Sequence, residues 1–172
     1  EKTNTVFFPT IGDMTWLGGV SYINNLTHAL LKTNNKFRIK TAEIGHPFDS
    51  PDLFHRAIRK IFKKKHTINE YVQKWFDDHA ENNKYWVFSN NPLMLRLRKD
   101  VPKLFWIPDF QHLHLKNLFS KNEIDERNSH FKSGAEVADI VILSSHYAKE
   151  DFIGFSPENA HKARILNFVS AI

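Results

Sequence analysis

The chain has 172 residues, of which 41% are hydrophobic and 25% charged, with a formal net charge of +5 and no cysteine. That length and apolar fraction suffice for one ordinary globular domain and exclude a disordered chain. The missing thiols exclude a disulfide scaffold, thiolate chemistry and cysteine-ligated zinc, and they fit a cytoplasmic protein.

No apolar run reaches the length of a membrane span. No signal-peptide pattern opens the chain and its first residue is Glu1, so the ends are expected to be boundaries within a longer protein. Val6, Phe7, Phe8 and Pro9 form a short apolar run that predicts a buried first strand. A loop with Gly12, Asp13, Trp16, Gly18 and Gly19 follows. Val20, Ile23, Leu26, Leu30 and Leu31 then recur at helical spacing, predicting a helix over 20–32 that Asn34 and Asn35 end. The glycosylation sequon Asn25-Leu26-Thr27 falls inside that helix and carries no weight. Phe37 and Ile39 alternate with polar residues in a second strand over 37–44. Residues 52–65 predict a basic amphipathic helix with Leu53, Ala57, Ile58, Ile61 and Phe62 on one side. Residues 68–82 predict another helix built on Tyr71, Val72, Trp75 and Phe76.

Tyr85-Trp86-Val87-Phe88 predicts a third strand, 92–99 a short helix capped by Asn91, and 104–107 a fourth strand stopped by Pro108. A loop of unusual composition spans 108–120. Ser120 and Glu123 then have the spacing of a capping box for a helix over 121–138. Strands over 139–143 and 164–166 bracket a helix over 145–152 and a turn that starts at Ser156-Pro157-Glu158. Short continuous apolar strands that alternate with helices predict an α/β fold. It is expected to be a doubly wound, mostly parallel sheet of about six strands with helices on both faces. No repeat or linker divides the chain, so 1–172 reads as one domain.

In such a sheet, ligands sit at the carboxyl ends of the strands near the switch point. Gly18-Gly19 stands just before the first helix, where bare backbone and free N–H groups suit a phosphate or a sugar hydroxyl; a simple tight turn is the competing reading. Gly12, Gly18 and Gly19 do not make G-x-G-x-x-G, and no Gly-Lys-Ser/Thr follows, which argues against a nicotinamide oxidoreductase or a P-loop. Asp109, Gln111, His112 and His114 follow the fourth strand and are expected to face the crevice. An Asp and a His there can orient a hydroxyl or hydrogen-bond a sugar; capping the next helix is the competing reading. His46, after the second strand, is a further cleft-lining candidate, against a solvated loop histidine.

His112-x-His114 lacks further ligands and no Asp-x-Asp motif exists, so no metal is expected. Ser144-Ser145-His146 cannot supply triad geometry and reads as a helix start. Arg56, Arg59, Lys60, Lys63 and Lys64 beside Phe54, Ile58, Ile61 and Phe62 suit an anionic membrane surface. The competing reading is a solvated charged face packed by its apolar side. No stacking motif or reading helix accompanies the charge, so nucleic acid is not an expected partner.

Trp16-Leu17-Gly18-Gly19-Val20-Ser21-Tyr22-Ile23-Asn24-Asn25-Leu26 resembles the segment that opens the first helix in the GT4 family of retaining glycosyltransferases. Trp106-Ile107-Pro108-Asp109-Phe110-Gln111-His112-Leu113-His114 is similar to a Pro-Asp-x-Gln-His run that follows the fourth strand in one branch of that family. Leu118-Phe119-Ser120 matches the end of its loop. Val141-Ile142-Leu143-Ser144-Ser145 resembles the family's strand, serine, helix step, and Arg164-Ile165-Leu166-Asn167-Phe168-Val169 its closing strand and linker entry. The likeness touches both ends and the middle of the chain, and the Pro-Asp-x-Gln-His run is its most specific part.

The resemblance implies a Rossmann-like N-terminal domain, the acceptor-side half of a GT-B fold, without the C-terminal nucleotide-sugar domain and its paired glutamates. It implies transfer of a sugar from a nucleotide-diphosphate sugar to an acceptor hydroxyl with retention, in cell-envelope or surface glycan synthesis. The isolated half is expected to be inactive. Asp109 and His112 are then the expected catalytic residues, and Gly18 and Gly19 bind donor or phosphate. Trp16, Gln111, His114 and His46 line the cleft, and Arg56, Arg59, Lys60, Lys63 and Lys64 face a membrane. The implied partners are the nucleotide-sugar donor, a glycan or lipid-linked acceptor and the C-terminal domain, at a cytoplasmic or inner-face peripheral location and with no separate cofactor. Many members carry His-Asp where this chain has Pro108-Asp109, so that histidine's role does not pass to Pro108, and His112 is the candidate to stand in. The alternative is a stand-alone flavodoxin-like binding or membrane-docking module without catalysis.

Overall fold

Six strands form one sheet, and the inner ones are short apolar runs that bury side chains on both faces. The strands are β1 (Asn4–Ile11), β2 (Phe37–Ile44), β3 (Tyr85–Ser89), β4 (Lys103–Ile107), β5 (Ile140–Leu143) and β6 (Ala163–Ile165). The computed structural model describes residues 4–11, 17–32, 37–44, 85–96 and 99–168. All neighbouring strands pair in parallel, in the order β2-β1-β3-β4-β5-β6. The architecture is therefore a Rossmann-like, doubly wound α/β sheet.

The side-chain period of two splits each strand between two cores. Phe7, Val87, Phe105, Ile107, Val141 and Leu143 point to one face. Phe8, Phe88, Trp106 and Ile142, their chain neighbours, point to the other. The second face is covered by α1 (Leu17–Lys32) through Tyr22, Ile23, Leu26 and Leu30. The first face is covered by α2 (Pro92–Arg96), α3 (Gln111–His114), α4 (Lys121–Val137) and α5 (His146–Phe155) through residues such as Met94, Leu95, Phe110, Phe131, Ala135 and Phe152. Pro9 lies beyond the β1 residues that pair with β3, where a missing N–H disturbs least.

Local chemistry fixes the ends of these elements. Asn91 Oδ1 accepts the N–H of Leu93 at 2.9 Å at the start of α2. Ser145 Oγ accepts the N–H of Ala148 at 3.1 Å and starts α5. The Ser120–Glu123 capping box is complete: Ser120 Oγ takes the Glu123 N–H and Glu123 Oε2 takes the Ser120 N–H at 2.7 Å. Lys162 Nζ donates to the Ala135 and Glu136 carbonyls near the other end of α4. Asp139 ties β4 to β5 through its Oδ2, which accepts the Lys103 N–H at 2.8 Å. Replacing Ser120 with Ala is expected to lower stability by about 1 kcal/mol. That is a fall of roughly 2–4 °C in thermal midpoint, readable by circular dichroism.

The structure departs from the sequence expectations at several ends. Helix α1 begins at Leu17, so Gly18 and Gly19 occupy its first turn and not the loop before it. Glycine is tolerated there because first-turn N–H groups have no helical partner in any case. The expected loop over 108–120 contains α3 and a 3₁₀ turn, Lys116–Leu118, because Asp109 Oδ1 accepts the Gln111 N–H at 3.1 Å and starts a helix. Helix α5 runs on to Phe155, and β6 lies one residue earlier than expected. Trp16, His46, the helices expected over 52–65 and 68–82, and with them Arg56, Arg59, Lys60, Lys63 and Lys64, lie outside the described residues. Among the described residues no helix is long and apolar enough to cross a membrane.

Candidate functional site

Because every strand runs the same way, the carboxyl ends of all six lie along one edge. The winding reverses between β1 and β3, which makes that edge of the sheet its switch point. Helix α1 connects parallel β1 and β2, so it runs back from this edge and its first turn stands on it.

An aromatic contact ties α1 to the middle of the sheet. The Tyr22 ring stacks on Trp106 of β4 with centroids 4.2 Å apart and planes at 16°. Trp106 Nε1 donates to Ser144 Oγ at 3.1 Å, and Tyr22 Oη donates to the Leu166 carbonyl at 3.3 Å. Burial pushes the Tyr22 phenol up to about 12, so it remains a neutral donor. Phe168 meets Tyr22 edge-on at 5.0 Å. Gly18 precedes Tyr22 by one helical turn, and Asp109 follows Trp106 by three residues. From this one ring pair, both segments lead toward the carboxyl edge. Tyr22, Trp106 and Ser144 were not among the expected site residues. The signal available was the one-turn spacing of Tyr22 from Gly18 and the alternation that turns Trp106 toward α1.

Asp109 sits half-buried just past β4. Its Oδ1 is engaged by the Gln111 N–H, and Oδ2 has no partner among the described residues. A carboxylate accepts at both oxygens, so one remains for a ligand hydroxyl. Gln111 is exposed at the start of α3. His114 is exposed too, and its Nε2 pairs with Asp151 Oδ1 of α5 at 2.8 Å.

His112 is placed differently from the expectation. It is 0% exposed and lies among Phe110, Phe119 and Phe131 beneath α4, with Nε2 3.0 Å from Asn128 Oδ1. Its position in α3 turns it into the core, so its ring does not meet the crevice. Burial holds it below the ordinary histidine value, aided by Arg127 and His114 and opposed by the Asn128 hydrogen bond and by Asp109. Of the expected catalytic pair, His112 is enclosed in the core and Asp109 is half-buried.

Ser145 and Asn91 cap segments that leave the edge through side-chain oxygens, and Asp109 closes an Asx turn on the Gln111 N–H before α3. Among the described residues, no group of three or more His, Asp or Glu side chains could hold a metal. The arrangement can offer first-turn N–H groups to an anion and one carboxylate oxygen to a hydroxyl. No protein-family model matches the chain, and no curated protein is similar enough to count as a relative.

Proposed function

We propose that the chain is the N-terminal, acceptor-side domain of a GT4-like retaining glycosyltransferase that moves a sugar from a nucleotide-diphosphate sugar to an acceptor hydroxyl. The observation that carries this reading is the Tyr22–Trp106 stack, which directs the Gly18-Gly19 turn and the Asp109 turn to one sheet edge. The resemblance of both segments to the GT4 pattern supplies the chemistry.

In this reading the N–H groups of the first turn of α1, where the glycines leave the backbone bare, receive a phosphate or sugar oxygen. The free oxygen of Asp109 accepts a hydrogen bond from the reacting hydroxyl and strengthens as that oxygen becomes a nucleophile. His112 has no direct part and holds the turn from beneath. The donor's nucleotide is bound chiefly by a second domain, and a lipid-linked or glycan acceptor enters from this half.

The test is a thermal-shift panel of UDP-, GDP- and ADP-sugars on the full-length protein. Ligand at one hundred times its dissociation constant stabilises the native state by about 2.7 kcal/mol, so one nucleotide class is expected to raise the midpoint by several degrees. A folded protein that none of the three classes stabilises would remove the proposal.

A further inference from the structure

We infer that His112 is an acid-sensitive latch that holds α3, and with it the Asp109 turn, against the body of the domain at neutral pH and releases them when it is protonated. The geometry carries this. The imidazole is fully enclosed, yet only one of its two nitrogens is satisfied: Nε2 meets Asn128 Oδ1, while Nδ1 is buried without a hydrogen-bond partner. The Asn128 oxygen is an acceptor, so Nε2 carries the proton and Nδ1 is a bare lone pair. A second proton would put an N–H and a full charge at Nδ1 against aromatic carbon, with no acceptor to receive it. A buried unpaired donor is costly and a buried unpaired charge more so.

The surroundings offer little relief. Phe110 comes from the turn before α3, Phe119 from the segment before α4, and Phe131 from α4. On α4, Arg127 adds a like charge and sits over the Phe119 ring at 4.8 Å, while Asn128 is neutral. On α3 itself, His114 also disfavours a second positive charge nearby. Asp109 is the one acidic group acting on His112, and its Oδ1 already accepts from the Gln111 N–H. On α5, Asp151 is engaged with His114. A charged His112 therefore reaches solvation only by leaving its cage, which requires α3 to move.

The direction in pH follows from linkage. The folded state holds His112 below the ordinary 6.5 of the unfolded chain. The stabilisation it contributes is whole above that value and is lost as pH falls below it. Glu123 and Glu158, whose hydrogen bonds hold them below the ordinary 4.5, lose theirs only at lower pH, outside this window.

Amide hydrogen exchange on the full-length protein at pH 7.5 and 5.5, expressed as protection factors, tests the latch. The reporters are the α3 amides of Leu113 and Leu115, which donate to the Phe110 and Gln111 carbonyls. Their protection is expected to fall at pH 5.5, by up to about tenfold, the limit linkage sets for one unit below 6.5. The α5 amides of Lys149 and Ser156, bonded to the Ser145 and Phe152 carbonyls, are expected to hold. In His112→Gln, whose amide can still donate to Asn128 and does not titrate, the difference between the two pH values is expected to vanish. Wild-type α3 protection that is independent of pH overturns the latch, and this reading needs no variant. Equal acid loss in His112→Gln, or equal loss across α5, overturns it as well.

Discussion

Asp109→Asn is expected to lower sugar transfer by the full-length protein about a hundredfold or more, the usual scale for removing a positioned acid–base group. The thermal midpoint is expected to stay close to wild type. The two outcomes separate because, in the proposed function, Asp109 has two tasks that use different properties. Its Oδ1 accepts the Gln111 N–H and starts α3. An asparagine oxygen performs that task equally well, since Asn and Asp close the same Asx turn through a side-chain oxygen. Accepting a proton or stabilising a nucleophilic hydroxyl requires the negative charge, which asparagine lacks. Asp109→Ala removes both and is expected to lose about 1 kcal/mol of stability together with the activity. Full transfer activity in a well-folded Asp109→Asn protein would leave the residue with only its structural task.

Gly134→Ala is expected to destabilise the domain by about 2 kcal/mol, a fall of roughly 4–8 °C in thermal midpoint. On helix propensity alone the change would stabilise by about 1 kcal/mol. Packing reverses the sign. Gly134 stands on the face of α4 that also buries Phe131 and Ala135, and a Cβ there would overlap the ring of Phe105 at three of its atoms. Phe105 is in the central strand β4 and is 0% exposed, so its ring has nowhere to go. Overpacking of this kind costs about 1–3 kcal/mol, and overlap with three ring atoms argues for the upper end. Gly154, near the end of α5, is the control of opposite sign. A Cβ there meets nothing within 4 Å, so Gly154→Ala is expected to stabilise by up to about 1 kcal/mol. Denaturant melts of the two variants decide the matter, and equal signs would contradict the packing account.

The sheet was legible in the sequence because its strands carry two overlapping signals. Runs such as Phe105-Trp106-Ile107 and Val141-Ile142-Leu143 are apolar throughout, as strands buried on both faces must be. Capping chemistry placed the starts of α4 and α5 correctly, since Ser120, Glu123 and Ser145 act through local hydrogen bonds that depend on spacing alone. The site was less legible. A polar residue after a buried strand can turn to the edge or under the next helix, and sequence does not distinguish the two. Asp109 stays half-buried and spends one oxygen on the Gln111 N–H. His112, three residues on, took the second course, because a turn that Asp109 itself initiates carries it beneath α4. The Tyr22–Trp106 contact joins residues 84 positions apart, so spacing and alternation place each ring on its own element but do not pair them.

The most direct test is a nitrogen–proton correlation spectrum of the full-length protein, labelled in glycine and aspartate and titrated, in the presence of acceptor, with the nucleotide sugar that the thermal-shift panel selects. The amides of Gly18, Gly19 and Asp109 are expected to shift together along one saturation curve, while Gly134, Gly154 and Asp139 stay in place. A donor that binds and saturates while moving only one of the two segments, or neither, would contradict the proposed function.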